Sequence, residues 1–193
     1  MDGIERTETG GIGVKVANPS MAEKTIFILR FLAIITSLVA IIVLAVSKQS
    51  KPVGYYYQDA FLPPIVVVAT ARWQYLSSLV FLMVANVLAF VYATISLTVS
   101  LAYQAGLKGF HKLTLTVLDL IIMALWFSAS GAATDVAVLA YNGNSKAGWN
   151  KTCSAYGYIC SLVISSIVVS MIGALIFLVL IVVTIVNLHK RPH

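Results

Sequence analysis

The sequence predicts an all-α integral membrane protein built as a bundle of four transmembrane helices. Two observations carry that class. Of 193 residues, 60% are apolar and only 10% are charged, a balance unlike that of a soluble domain. Four apolar runs, at about 25–47, 73–101, 113–138 and 158–187, are each long enough to cross a hydrocarbon core of about 30 Å, which takes about 20 helical residues. The segments between them hold most of the Lys, Pro, Asn and Gly.

The first run starts after 24 polar residues of mixed charge and is too long for the apolar region of a cleaved signal, so it is expected to stay as an uncleaved anchor. Residues 1–24 read as a disordered tail, 25–187 as the membrane domain and 188–193 as a second short tail. The net charge of +6 is carried by residues placed singly or in pairs at the ends of apolar runs. That is the pattern of membrane flanks, and without a basic stripe interleaved with aromatics it excludes a nucleic-acid role.

Four crossings put both tails on one side. Arg6, Lys15, Lys24, Arg30, Lys108, Lys112, Lys190 and Arg191 belong to that side, against Lys48, Lys51, Arg72, Lys146 and Lys151 on the other. The bias predicts cytosolic termini. Asn150-Lys151-Thr152 fits an N-glycosylation sequon, and Cys153 and Cys160 lie in or beside the same loop, where an oxidising outer side would permit a disulfide. The alternative for the cysteines is a pair of reduced thiols at the head of the fourth helix.

In the first outer loop, KQSKPVGYYYQDAFLPPIVVVATAR, Tyr55 to Tyr57 and Ile65 to Thr70 suit two short strands around a turn at Asp59 and Pro63-Pro64. The tyrosines equally suit an interfacial aromatic belt. The inner connection, YQAGLKGFHK, is short and turn-like.

Chemistry narrows to a few side chains. An ionisable residue deep in a span costs about 2.5–3.5 kcal/mol on insertion scales and calls for a partner or a wet cavity. Two occur well inside the runs, Arg30 and Asp119, while Asp135 sits near the outer end of the third helix. Arg30 lies six residues beyond Lys24 and Asp119 seven beyond Lys112, which places both about 9–11 Å above their flanking lysines. Equal depth on two parallel helices predicts an ion pair with two charge-assisted hydrogen bonds. The competing readings are an Arg30 that snorkels to the interface while Asp119 is protonated or faces another chain, and a proton or cation relay. A relay would want a second acid at depth, and none is present.

Asn86, midway along the second run, is expected to bridge helices. Ser128, Ala129, Ser130, Gly131, Ala132 and Ala133 offer a small surface with small-xxx-small spacing from Ser128 to Ala132, and Ser166, Ser170, Gly173 and Ala174 offer another. Such surfaces let helices approach closely, within one bundle or between chains. His111, His189 and His193 stand at the inner edge without a neighbouring acid or cysteine, and no metal-ligand spacing, phosphate loop or nucleophile elbow occurs. The residues therefore point to a protein without an enzymatic activity or cofactor. A channel or transporter, and an adapter or trafficking chaperone, are the other classes they leave open.

Four stretches, LRFLAIITSLVA, ANVLAFVYATISL, LDLIIMALWFSASGAA and GNSKAGWNKTCSAYGYIC, resemble the Casparian strip membrane domain protein-like (CASP-like) family of plants, near the 1E and 1D members of its first subgroup. The resemblance runs from Arg30 into the fourth helix. It implies a plasma-membrane tetraspan, distantly similar to MARVEL-type proteins, that forms homo- and hetero-oligomers in the membrane lipid. Founding members build scaffolds that fence the membrane and recruit cell-wall-modifying enzymes. The family's intramembrane arginine and aspartate fall on Arg30 and Asp119, and its outer-loop cysteines on Cys153 and Cys160. The first outer loop, DAFLPPIVVVATARWQY, departs from the signature of the scaffold-forming members, which ends in paired phenylalanines and a polar turn. The resemblance therefore does not extend to Casparian strip formation.

Overall fold

A computed structural model describes residues 19–56, 65–103 and 110–189. Residues 1–18 and 190–193, the turn at Asp59 and Pro63-Pro64, and most of the inner connection lie outside the described residues, while 19–24 of the expected N-terminal tail and 188–189 of the C-terminal one belong to helices. Four long helices, α1 (Pro19–Ala45), α2 (Ser77–Tyr103), α3 (Phe110–Asn142) and α5 (Gly157–His189), carry the four membrane-length apolar segments. A single helical turn, α4 (Thr152–Ala155), precedes α5. Helix boundaries follow local chemistry. Pro19 opens α1, where a missing N–H is harmless. Gly143, at φ 72°, closes α3 by donating its N–H to the Leu139 carbonyl at 2.9 Å, and a Cβ there would stand 2.9 Å from the Trp149 carbonyl oxygen. The third run, expected over about 113–138, stops four residues short of Asn142, where α3 ends.

α2 starts at Ser77 rather than at Trp73, since Trp73–Tyr75 forms a 3-10 turn and Leu76 is extended. β1 (Lys48–Tyr56) and β2 (Ile65–Arg72) pair antiparallel from Lys48↔Arg72 to Tyr56↔Ile65. Of the two readings of this loop, the hairpin is the observed one, and it is longer than the sequence suggested. A bulge between Pro52 and Gly54 falls where proline offers no N–H to the ladder. Ser50 and Thr70 hydroxyls meet across the strands at 2.9 Å.

The helices run up and down in a ring in which α1 packs on α2 and α5, and α3 packs on α2 and α5. α1 and α3 are therefore diagonal partners, and so are α2 and α5. The burial pattern is that of a protein solvated by lipid. Phe27, Ile28, Phe31, Val84, Val91, Ile121, Val168 and Val182 face outward, whereas Ser37, Asn86, Asp119, Ser130, Ser166 and Ser170 are buried. Small and polar side chains line the interior because close approach and interhelical hydrogen bonds, not apolar burial, hold helices together in lipid.

Candidate functional site

The interior holds two polar centres, one on each diagonal. The first lies toward the end of the bundle away from the hairpin. Arg30 on α1, 4% exposed, sends Nη2 to Asp119 Oδ2 at 2.9 Å and Nη1 toward Oδ1 at 3.4 Å; Asp119 on α3 is fully buried. The guanidinium thus meets the carboxylate fork to fork, the arrangement in which an arginine best replaces lost water. Tyr92 of α2 completes it, its hydroxyl 2.8 Å from Asp119 Oδ1 and 3.0 Å from the Leu115 carbonyl oxygen, with one proton to donate between them. Three helices meet on one carboxylate.

The second centre lies seven residues further along α3, about 10 Å nearer the hairpin. Asn86 of α2 donates Nδ2–H to the Leu82 carbonyl at 2.8 Å. Its Oδ1 accepts from Trp126 Nε1 of α3 at 3.0 Å and lies 3.1 Å from Ser170 Oγ of α5. Ser166 of α5 donates to the Ala40 carbonyl of α1 at 3.0 Å. Phe177, 1% exposed, fills the space between the two centres, its ring 5.8 Å from Trp126 and 6.3 Å from Tyr92. Asn86→Leu strands the Trp126 N–H in an apolar core. The expected loss is about 1–3 kcal/mol in reversible denaturation of the reconstituted protein.

Of the small residues singled out from the sequence, Ser166, Ser170 and Gly173 are interior, and Gly173 seats the Trp126 ring. Ser128, Gly131 and Ala132 face out of the bundle, and a Cβ at Gly131 would meet nothing within 4 Å. The helix surface used inside the chain is rotated by one residue, through Trp126, Ala129, Ser130 and Ala133. The physical reason is the tryptophan: its bond to Asn86 fixes that face inward, and positions three, four and seven residues on follow it.

At the hairpin end the strands dock on the head of α5, where Ile159 N–H donates to Gln49 Oε1 at 3.2 Å and Tyr156 Oη lies 3.4 Å from the Ala69 carbonyl. Cys153 of α4 and Cys160 of α5 are bridged, their Cα atoms 5.7 Å apart. Closing so short a loop is worth about 2.5 kcal/mol in the chain-entropy estimate. Protein isolated without reductant is expected to resist alkylation at both positions until reductant is added, and labelling beforehand would refute the bridge in the membrane. Asn150 is exposed just past the turn that a two-way Asn144–Trp149 backbone pair closes. Among the described residues no group of three or more His, Cys, Asp or Glu could hold a metal ion.

Tyr92, Trp126 and Gln49 were not singled out from the sequence. The first two carried a faint signal, because a tyrosine or tryptophan deep in a span needs a partner for its one polar hydrogen. Gln49 carried none.

Comparison with known proteins bears on the same residues. The Casparian strip membrane protein domain matches residues 19–176. CASP-like proteins 1E2 and 1E1 of Glycine max are each 42% identical to the chain, over 99% of it and all of their own length. CASP-like protein 1E2 of Vitis vinifera is 37% identical with the same coverage. No solved structure matches. With four membrane-length helices and this match across both polar centres, the chain belongs to the Casparian strip membrane protein domain family, as a multi-pass membrane protein of the CASP-like kind found in plants.

Proposed function

We propose that this protein is a non-enzymatic scaffold of the plasma membrane, with cytosolic termini, that oligomerises with itself and with related tetraspans and organises a membrane domain. Both polar centres serve the bundle in this reading: Arg30 with Asp119 fixes how α1 meets α3, and Asn86 fixes how α2 meets α5. One observation carries it. Trp126 and Phe177, both buried, occupy the space between the centres, and a solute path would have to pass there.

The outward Ser128, Gly131 and Ala132 are the surface on which a second tetraspan would pack closely, since a facing helix meets no side chain larger than a methyl or hydroxymethyl group there. The hairpin and the disulfide-closed turn form the head offered to cell-wall-modifying partners. Exposed Asn150 and the bridged cysteines share that end, which agrees with the lysine and arginine bias in putting it outside the cell.

Reconstitution into vesicles separates the readings. The scaffold reading predicts no proton or potassium flux above that of empty vesicles, together with chemically crosslinked oligomers in the native membrane that Gly131→Leu reduces severalfold. Flux that Asp119→Asn abolishes would instead establish a transport role.

A further inference from the structure

The ring of helices is not closed between the hairpin-side halves of α3 and α5. A cavity of about 190 Å³ lies under the Cys153–Cys160 bridge, walled by Leu79, Ala137, Ala140 and Val163. A second, more open space of about 560 Å³ follows the outer flank past Ile167, Met171 and Leu175. Ala137 and Ile164 line both, so the two spaces adjoin, and together they make a crevice between the lipid-facing flank and the disulfide. Its walls are almost wholly apolar, and Arg72 stands at its upper end.

We propose that the crevice holds one acyl chain of a phospholipid from the hairpin-side leaflet, with the lipid phosphate against Arg72. Three observations select that occupant. The crevice opens sideways at the level of hydrocarbon, and an apolar space holds no stable water; a cavity of about 150 Å³ with such walls already accepts a benzene ring. A helix is not enclosed, because one turn is about 10 Å across; it would lie across the open flank and leave the part under the disulfide, about 190 Å³, unfilled. The charge at the mouth matches an anion: Arg72 is exposed, no carboxylate among the described residues forms an ion pair with it, and the guanidinium fork fits phosphate oxygens. The site goes beyond a scaffold role and does not depend on it, since it needs neither oligomers nor a partner at the head.

The test uses the full chain, reconstituted in vesicles of equal phosphatidylglycerol and phosphatidylcholine, extracted in mild detergent and weighed by native mass spectrometry. One retained phospholipid per chain is expected, with phosphatidylglycerol enriched severalfold. Ala137→Phe and Ala140→Phe, each checked for the intact disulfide and wild-type melting, are expected to bring retention to background. Arg72→Gln is expected to keep the lipid and lose the headgroup preference. In parallel, a phospholipid with a photoreactive acyl chain should label wild-type peptides 134–142 and 159–175 above those from α1. Wild-type chains without retained lipid, full retention in folded Phe variants, lipid-free dimers, or labelling spread evenly over the bundle would each overturn the proposal. An unchanged preference in Arg72→Gln would overturn the role of Arg72.

Discussion

Asp119→Ala is expected to destabilise the bundle by about 3–5 kcal/mol, more than truncation of any single apolar side chain on its surface, because it leaves the Arg30 guanidinium buried without a counter-charge. Arg30→Met should cost about as much from the other side. Tyr92→Phe removes only a neutral donor to a carboxylate that keeps its arginine, so about 1–2 kcal/mol is expected. These differences are large for a protein of ordinary marginal stability. Reversible denaturation in detergent micelles would measure them, and the order Asp119→Ala above Tyr92→Phe is the part that packing alone does not predict. If Tyr92→Phe proves as damaging as Asp119→Ala, the carboxylate is not the hub of the first centre.

The second large effect is expected at Gly173. A Cβ there would stand 2.8 Å from Trp126 Cζ2, closer than side-chain carbons approach. The ring has little room to yield, since Nε1 is held by Asn86 and Phe177 packs against its edge. Gly173→Ala should therefore cost about 1–3 kcal/mol through overpacking, and Gly173→Val more. Pairing Gly173→Ala with Trp126→Phe separates collision from glycine's own flexibility. The smaller ring relieves the contact, so the double variant is expected to lose less than the sum of the single changes. Strict additivity would mean that α5 shifts away as a body and the close approach is not specific to this ring.

How much of this was legible in the sequence depends on the kind of information each feature needs. The four helices follow from length and apolarity alone, because in lipid every backbone polar group must be satisfied within its own segment. The depth of Arg30 and Asp119 follows from helical rise counted from the flanking lysines, a one-dimensional quantity that parallel helices share. Which side of a helix faces its neighbours is a different matter. The apolar runs are apolar all round, so periodicity does not mark the inner face, and the small-residue spacing fits Ser128–Ala132 and Ala129–Ala133 equally well. Only the bond from Trp126 to Asn86 decides between them, and that bond spans two helices. The crevice between α3 and α5 was likewise invisible: Ala137 and Ala140 of α3 are too short to fill the space that Ile159, Val163 and Ile164 of α5 line from the other side.

The central claim is that Arg30 and Asp119 act as one structural unit, tying the α1–α3 diagonal, and a double-mutant cycle across the pair tests it most directly. Arg30→Met, Asp119→Leu and the double variant would be unfolded reversibly alongside the unaltered protein. If the pair is a mutual structural requirement, the double variant is less destabilised than either single variant, with a coupling of at least about 2 kcal/mol, because no charge is then left buried alone. Additive losses, with the double variant the least stable of all, would contradict the account and return Asp119 to an independent role in the membrane.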